Sequence, residues 1–256
     1  MHNPRVTRIR RHFLVLVACM FGALLGASRT GHAASAAEPL SECSNEERFG
    51  KRYYLTADLD CGGARGINLA RSATLDLNGF SIRNAGIAVH CSRRCTILGP
   101  GIISDSHGGI DGYKVTLVDV TLRDIEEDAV RALKRLKLEV SLIETSGTGV
   151  LAPIRTLLVD SQITGSRRDG IRGFGIRRFR GRDEERCVGR KVQLINSTVA
   201  GNNTGPFAGN DCELGDYSAC ADIRTCDRAP RLDATSSCGT SLSVESGTTW
   251  AVCTLD

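Results

Sequence analysis

Apolar residues return along this chain at steps of about twenty. One column runs Leu77, Ile97, Leu117, Leu138, Leu158 and Leu194, in steps of 20, 20, 21, 20 and 36. A second lies five residues later, at Ile82, Ile102, Leu122, Ile143, Ile163 and Val199. A third couples a small residue to a branched aliphatic: Gly66-Ile67, Gly86-Ile87, Gly109-Ile110, Ala129-Val130, Gly149-Val150 and Gly170-Ile171. Three columns in phase predict coils of short strands whose inward residues stack into one continuous apolar core. Backbones of neighbouring coils then pair at about 4.8 Å. Turn residues fall between the second and third columns, as in Ser104-Asp105-Ser106, Thr145-Ser146-Gly147 and Gly165-Ser166. A second bend column holds Gly79, Gly99, Asp119, Asp160 and Asn196, with Val140 as the exception.

The one long step marks an insertion at 175–190, Arg-rich and Gly-containing as a loop is. One stretch points elsewhere. Between Leu122 and Leu138, Ile125, Ala129, Leu133 and Leu136 stand at helical spacing among Glu, Asp, Arg and Lys. A leucine-rich horseshoe is the matching global alternative. The coil is preferred because the phase carries through, with 20 residues from Val130 to Val150 and 21 from Leu117 to Leu138. The horseshoe's Leu-x-Leu-x-x-Asn signature also fails to repeat. The segments expected are a leader at 1–36, an N-terminal cap at 37–65, the repeat at 66–201 and a Cys-rich C-terminal cap at 202–256.

The leader changes the charge. Arg5, Arg8, Arg10 and Arg11 precede an apolar run from Phe13 to Leu25, and small residues follow at Gly31-His32-Ala33 and Ala34-Ser35-Ala36. That order reads as a secretory signal peptide. The run is short for a membrane span. Leu16-Val17-Ala18-Cys19 resembles a lipoprotein box, but apolar residues continue past Cys19, and lipid anchoring there is not expected. Five Arg leave with the leader, so 33 − 5 = 28 basic residues face 29 acidic ones and the net charge falls from +4 to −1. The basic balance therefore belongs to the precursor and gives no reason to expect nucleic acid as a partner.

Ten of the eleven Cys remain after the leader: Cys43, Cys61, Cys91, Cys95, Cys187, Cys212, Cys220, Cys226, Cys238 and Cys253. In an exported chain an even number reads as disulfides. Zinc is the rival, but Cys91-Ser-Arg-Arg-Cys95 has no matching second pair, and no metal site is expected. Cys43–Cys61 and Cys238–Cys253 are the pairs that proximity suggests; sequence alone does not fix connectivity. Trp250, the only Trp, is placed to plug the last coil.

The run Ala73-Thr-Leu-Asp-Leu-Asn-Gly-Phe-Ser-Ile82, followed by Thr96-Ile-Leu-Gly-Pro-Gly-Ile-Ile103, resembles the opening coils of the pectate-lyase-like superfamily. The tail (Cys220-Ala-Asp-Ile-Arg-Thr-Cys226, Pro230-Arg-Leu-Asp233, Cys238-Gly-Thr-Ser241, Trp250-Ala-Val-Cys253) resembles that of secreted bacterial β-helix proteins of unassigned function. The resemblance implies an all-β chain: a right-handed parallel β-helix solenoid of about six to seven coils with a disulfide-rich C-terminal cap. It does not bring an activity, because no complete lyase or polygalacturonase motif set is present.

Counting back from the third column gives candidate site residues. His107, Glu127, Gly147 and Arg168 fall in one row, and Gly108, Asp128, Thr148 and Asp169 in the next. Ala88, Asp111, Arg131, Leu151 and Arg172 follow the column. With Asp105 these form a ridge of His, carboxylates and Arg. Asp105, His107 and Arg168 read as base and carboxylate-neutralising groups for a lyase or epimerase. Asp128 and Asp169, two coils and about 9.6 Å apart at the strand spacing, read as an inverting hydrolase's acid–base pair. The plainer reading is a solvated ridge that binds glycan, with Asp111 and Arg131 as a cross-coil ion pair. Arg177 and Arg178, within the Arg-rich insertion, are further candidates for gripping acidic groups, against a solvated loop balanced by Asp183, Glu184 and Glu185. The first expectation is a secreted or periplasmic monomer that binds or presents to polysaccharide without catalysis. The alternative is a lyase, epimerase or hydrolase of an acidic polysaccharide, and Ca2+ enters only with that alternative.

Overall fold

In a computed structural model, residues 37–48, 52–151, 154–172, 174–179, 182–187, 191–202, 223–226, 231–232, 235–238 and 250–252 are described. The leader and Cys19 lie outside them. Among the described residues there is no helix, and none therefore long and apolar enough to cross a membrane. The chain forms a parallel β-solenoid of about six turns.

Three stacks of strands build it. In the first, Glu38 pairs in register with Tyr53, Tyr53 with Leu75, Leu75 with Ile97 and Ile97 with Leu117. Leu158 then pairs with Leu138 and Leu194, and Leu194 with Leu232. The second stack runs through Leu59, Ile82, Ile103, Leu122, Ile143, Ile163, Val199 and Cys238. The third takes Ser44, Ile67, Val89 and Ile110, then Val130, Val150, Ile171 and Ile223. The apolar members from Leu59 to Val199 are at most 3% exposed and form one core. Strands extend beyond the repeat at both ends, since the residues before Gly66 already pair in register.

The first turn corrects the uniform step. Leu75 rather than Leu77 pairs with Ile97, Ile103 rather than Ile102 is the buried member of the second stack, and Val89 rather than Ile87 pairs with Ile67. The reason is the length of the first corner. Seven residues separate Leu75 from Ile82, six separate Ile97 from Ile103, and five separate Leu117 from Leu122. The extra residues are taken up by Asn78-Gly79 and Gly99-Pro100, and the register shifts between Leu98 and Gly101.

The stretch from Leu122 to Leu138 is strand, inside Gly108–Glu139, which winds through more than one turn. Leu133 is 55% exposed while Leu136 is fully buried, a separation that a shared helical face does not allow. The insertion forms an antiparallel hairpin of Phe174–Phe179 and Arg182–Cys187. At the far end, Ile223–Cys226 adds in parallel to Ile171–Arg172 and pairs antiparallel with Trp250–Val252. That reversal ends the parallel stacking along this edge, as a solenoid's last turn requires.

Corner chemistry repeats as strictly as the core. At the first corner Asp119, Val140, Asp160 and Asn196 have φ of 58°, 50°, 49° and 46°. The residue after three of them is a serine. Ser141, Ser161 and Ser197 donate their hydroxyls to the carbonyls of Glu139, Val159 and Ile195 at 2.8, 2.7 and 2.8 Å. Each hydroxyl also accepts a backbone N–H from the preceding turn: Val120 to Ser141 at 3.3 Å, and Ser141 to Ser161 and Ser161 to Ser197 at 3.1 Å. Ser236 extends the ladder by accepting from Ser197 N–H at 3.1 Å. Val140 is the misfit in the left-handed column, being β-branched and 58% exposed with no core contact to gain. A left-handed L-residue costs about 1–2 kcal/mol, which Asn and Asp partly escape. Val140→Asn is therefore expected to stabilise the protein by about 1 kcal/mol, read as a higher urea midpoint at unchanged slope.

Two disulfides lock the N-terminal half. Cys43–Cys61 is the pair that proximity suggested, and Cys91 bonds to Cys95 within its own turn. The latter sulfurs sit in the core, where Gly112 leaves room: a Cβ there would lie 2.7 Å from Cys91 Cβ. Cys187, Cys226 and Cys238 lie on strands. Cys212, Cys220 and Cys253, and so the second suggested pair, lie outside the described residues.

Candidate functional site

The second corner builds an open groove. Two residues after each apolar member of the second stack from Ile82 to Val199 the chain turns left-handed, at Asn84, Asp105, Asp124, Thr145, Gly165 and Gly201, with φ between 49° and 67°. Asn, Asp and Gly tolerate that conformation best, and their polar side chains are left at the surface. The next residue turns inward. Ser106 hydrogen-bonds the Ser104 carbonyl at 2.8 Å and accepts Ala85 N–H at 3.1 Å, and Ser146 and Ser166 hydroxyls meet at 3.1 Å. The residue after that points outward again, at His107, Glu126 and Arg167. The groove encloses about 490 Å³ and is lined by side chains from successive turns, including Asn84, Asp105, His107, Asp124, Glu126, Thr145 and Arg167.

His107 is held from both sides. Its Nδ1 lies 2.9 Å from Glu126 Oε2 and its Nε2 3.4 Å from Glu127 Oε1. The Glu126 hydrogen bond, and then the Glu127 charge, raise the His107 pKa above the ordinary histidine value. The same bond holds Glu126 below the usual carboxylate range. Arg167 donates from its guanidinium to the Glu126 carbonyl, tying a third turn to the pair. When protonated, His107 has both nitrogens committed to carboxylates and no lone pair to act as a base.

The expected rows are largely in register. Glu127 N–H donates to the His107 carbonyl at 2.8 Å and Arg168 N–H to the Gly147 carbonyl at 2.8 Å. Gly147 is required there, since a Cβ would lie 2.4 Å from the Glu126 carbonyl oxygen. Asp128 pairs in register with Thr148, and Gly149 N–H donates to the Asp169 carbonyl at 3.0 Å. These two carboxylates sit apart from the groove. Asp128 Oδ2 lies 3.4 Å from Arg131 Nε, and Asp169, only 2% exposed, lies 3.8 Å from Arg172 Nε. Burial raises the Asp128 pKa, with Arg131 and the Thr148 hydroxyl pulling it back.

The row after the third stack changes at two places. His90, not Ala88, pairs in register with Asp111, because the first turn is longer than the rest. Asp111 lies 3.4 Å from His90 Nδ1, while Arg131 serves Asp128, so the expected Asp111–Arg131 pair gives way to two local ones. Arg177 and Arg178 stand across the hairpin from Glu184 and Asp183.

Comparison of the chain with protein-family models, with curated proteins and with solved structures gives no match. The arrangement of its own residues is thus what bears on function. Among the described residues no three His, Cys, Asp or Glu side chains converge as a metal ion needs. Sequence counting missed Glu126, Arg167, Asp124 and Asn84 as groove residues. The left-handed positions after the second column were the available signal for Asn84 and Asp124.

Proposed function

We propose that this chain is an exported β-helix whose second-corner groove binds an extracellular or cell-envelope polysaccharide without catalysis. The observation that carries the reading is the groove itself. Successive turns present hydrogen-bonding side chains in a line, one strand spacing apart, which suits an extended chain of hydroxyl-bearing sugars more than a compact ligand. The leader-like first 36 residues and the two disulfides favour an oxidising, extracytoplasmic setting. The double restraint on His107 by Glu126 and Glu127 favours a fixed part of the groove wall over a base. The alternative, an acid–base enzyme on an acidic polysaccharide, draws on the same residue, whose pKa the Glu126 hydrogen bond raises.

One experiment separates them. Purified full-length protein, freed of its leader, is titrated with soluble neutral glucan, galactan and mannan and with polygalacturonate, and each mixture is assayed for chain shortening and unsaturated products. Retention of a glycan, weakened at least tenfold by His107→Ala and by Asp105→Asn, with no turnover, is the expected result. Turnover that disappears with His107→Ala establishes the enzyme instead. Groove variants that bind every glycan as the parent does overturn the groove as the site.

A further inference from the structure

The first strand stack carries a column of cations along one edge. Three residues before Ile97, Leu117, Leu138, Leu158 and Leu194 stand Arg94, Lys114, Arg135, Arg155 and Lys191. Arg94 pairs in register with Lys114, and Arg155 pairs with Arg135 on one side and Lys191 on the other. Lys114 and Arg135 occupy the same position in the two turns of Gly108–Glu139, each three residues before its stacked leucine. Five successive turns thus repeat a cation at one point, in a row about 19 Å long at the strand spacing.

The row is unlike an ordinary solvated surface. Other cations on the solenoid stand beside carboxylates, as Arg83 does with Asp60, Arg131 with Asp128 and Lys137 with Glu139. Among the described residues none of these five side chains has an acidic partner. Four are exposed and Lys114 is half-buried. Like charges stacked in register repel one another, which favours an external anion. Each cation is followed by a buried residue, Cys95, Val115, Leu136, Thr156 or Val192, so the backbone carrying the row is anchored in the core. A pre-spaced row binds without the cost of ordering flexible loops.

We propose that this row is a binding track for a linear anionic polysaccharide carrying a carboxylate on each sugar. Such a polymer repeats its charge at an interval comparable with the strand separation, so charges and cations stay in step along the row. A single-stranded nucleic acid is a poorer fit, because its binding surfaces interleave cations with aromatic platforms. The aromatic beside the row is Tyr113, and the Lys134 ammonium lies 5.5 Å from its ring centroid. The track goes beyond the groove reading and does not depend on it. The groove's Asp105, Asp124 and Glu126 repel a polyanion, so the two surfaces take different partners.

The test uses the full mature protein on immobilised polygalacturonate, with dextran sulfate, neutral dextran and a single-stranded oligonucleotide as competing probes. Retention at low salt is expected to fall steeply as salt rises, and Arg135→Glu with Arg155→Glu is expected to weaken it at least tenfold. Arg65→Gln, which removes an exposed cation outside both the row and the groove, is expected to leave it unchanged. Arg135→Gln with Arg155→Gln removes charge without reversing it and is expected to retain or raise the melting temperature, since it relieves repulsion. Absence of retention, retention indifferent to the paired substitutions, or tighter binding of dextran sulfate or the oligonucleotide each overturns the assignment. Failure of the groove experiment with success here leaves the track standing, and the reverse holds equally.

Discussion

Leu136→Ala is expected to cost about 3–4 kcal/mol of stability, whereas Leu133→Ala is expected to change it by less than about 0.5 kcal/mol. The two residues are three apart in a stretch whose apolar positions also fit a helix. On a helix they share a face, and truncating either is costly. In the solenoid Leu136 is fully buried beside Leu138, whereas Leu133 is 55% exposed. Leu136 also lies in register with Thr156 of the next turn, so its loss leaves a cavity between turns that only partly relaxes. Urea unfolding of the two variants beside the parent measures the contrast. Comparable losses at both positions point back to a helix. A large loss at Leu136 alone supports the coil at the point where the repeat is weakest.

That stretch shows what the sequence makes legible. From the third turn onward, inward positions recur every 20 or 21 residues, so Leu117, Leu138 and Leu158 were found correctly from phase alone. The first turn was misread by one or two residues because its corner is longer. A fixed step then carries Leu77 into a place that belongs to Leu75. The same slip hid His90, which lies beside Asp111 only once the longer turn is counted. Corner residues were legible as turns, yet the groove they build was not. Asn84, Asp105 and Asp124 share a backbone conformation rather than a residue type, and Glu126 comes to His107 because Ser106 and Ile125 pair in register beside them. The cation row was equally silent, since five basic residues separated by about twenty positions stand out only when the turns are stacked.

Ser161→Ala is expected to destabilise by about 2–3 kcal/mol, more than its small volume suggests. Ser161 is 1% exposed and its hydroxyl does two things. It donates to the Val159 carbonyl at 2.7 Å and accepts the Ser141 N–H at 3.1 Å. Alanine removes both bonds: the Val159 carbonyl keeps the Val140 N–H at 3.0 Å, but the buried Ser141 N–H loses its partner. That orphaned N–H carries its desolvation cost. The neighbouring rungs cannot substitute, because Ser141 and Ser197 are committed to their own carbonyls at 2.8 Å. Position 120 offers an internal control. There the corner residue is Val120, buried without a hydroxyl, and its own N–H is taken by Ser141. Val120 makes the ladder begin at Ser141, and Ser141→Ala breaks the same two kinds of bond, but the Val120 N–H it releases was held at 3.3 Å, the longest bond of the series. The loss is therefore expected to be smaller at Ser141 than at Ser161, and Ser161→Thr, which keeps the hydroxyl, is expected to recover part of it. Equilibrium unfolding of the three variants measures that order; equal losses for Ser141→Ala and Ser161→Ala, with no recovery in Ser161→Thr, would show that the corners are held by the apolar stacks alone.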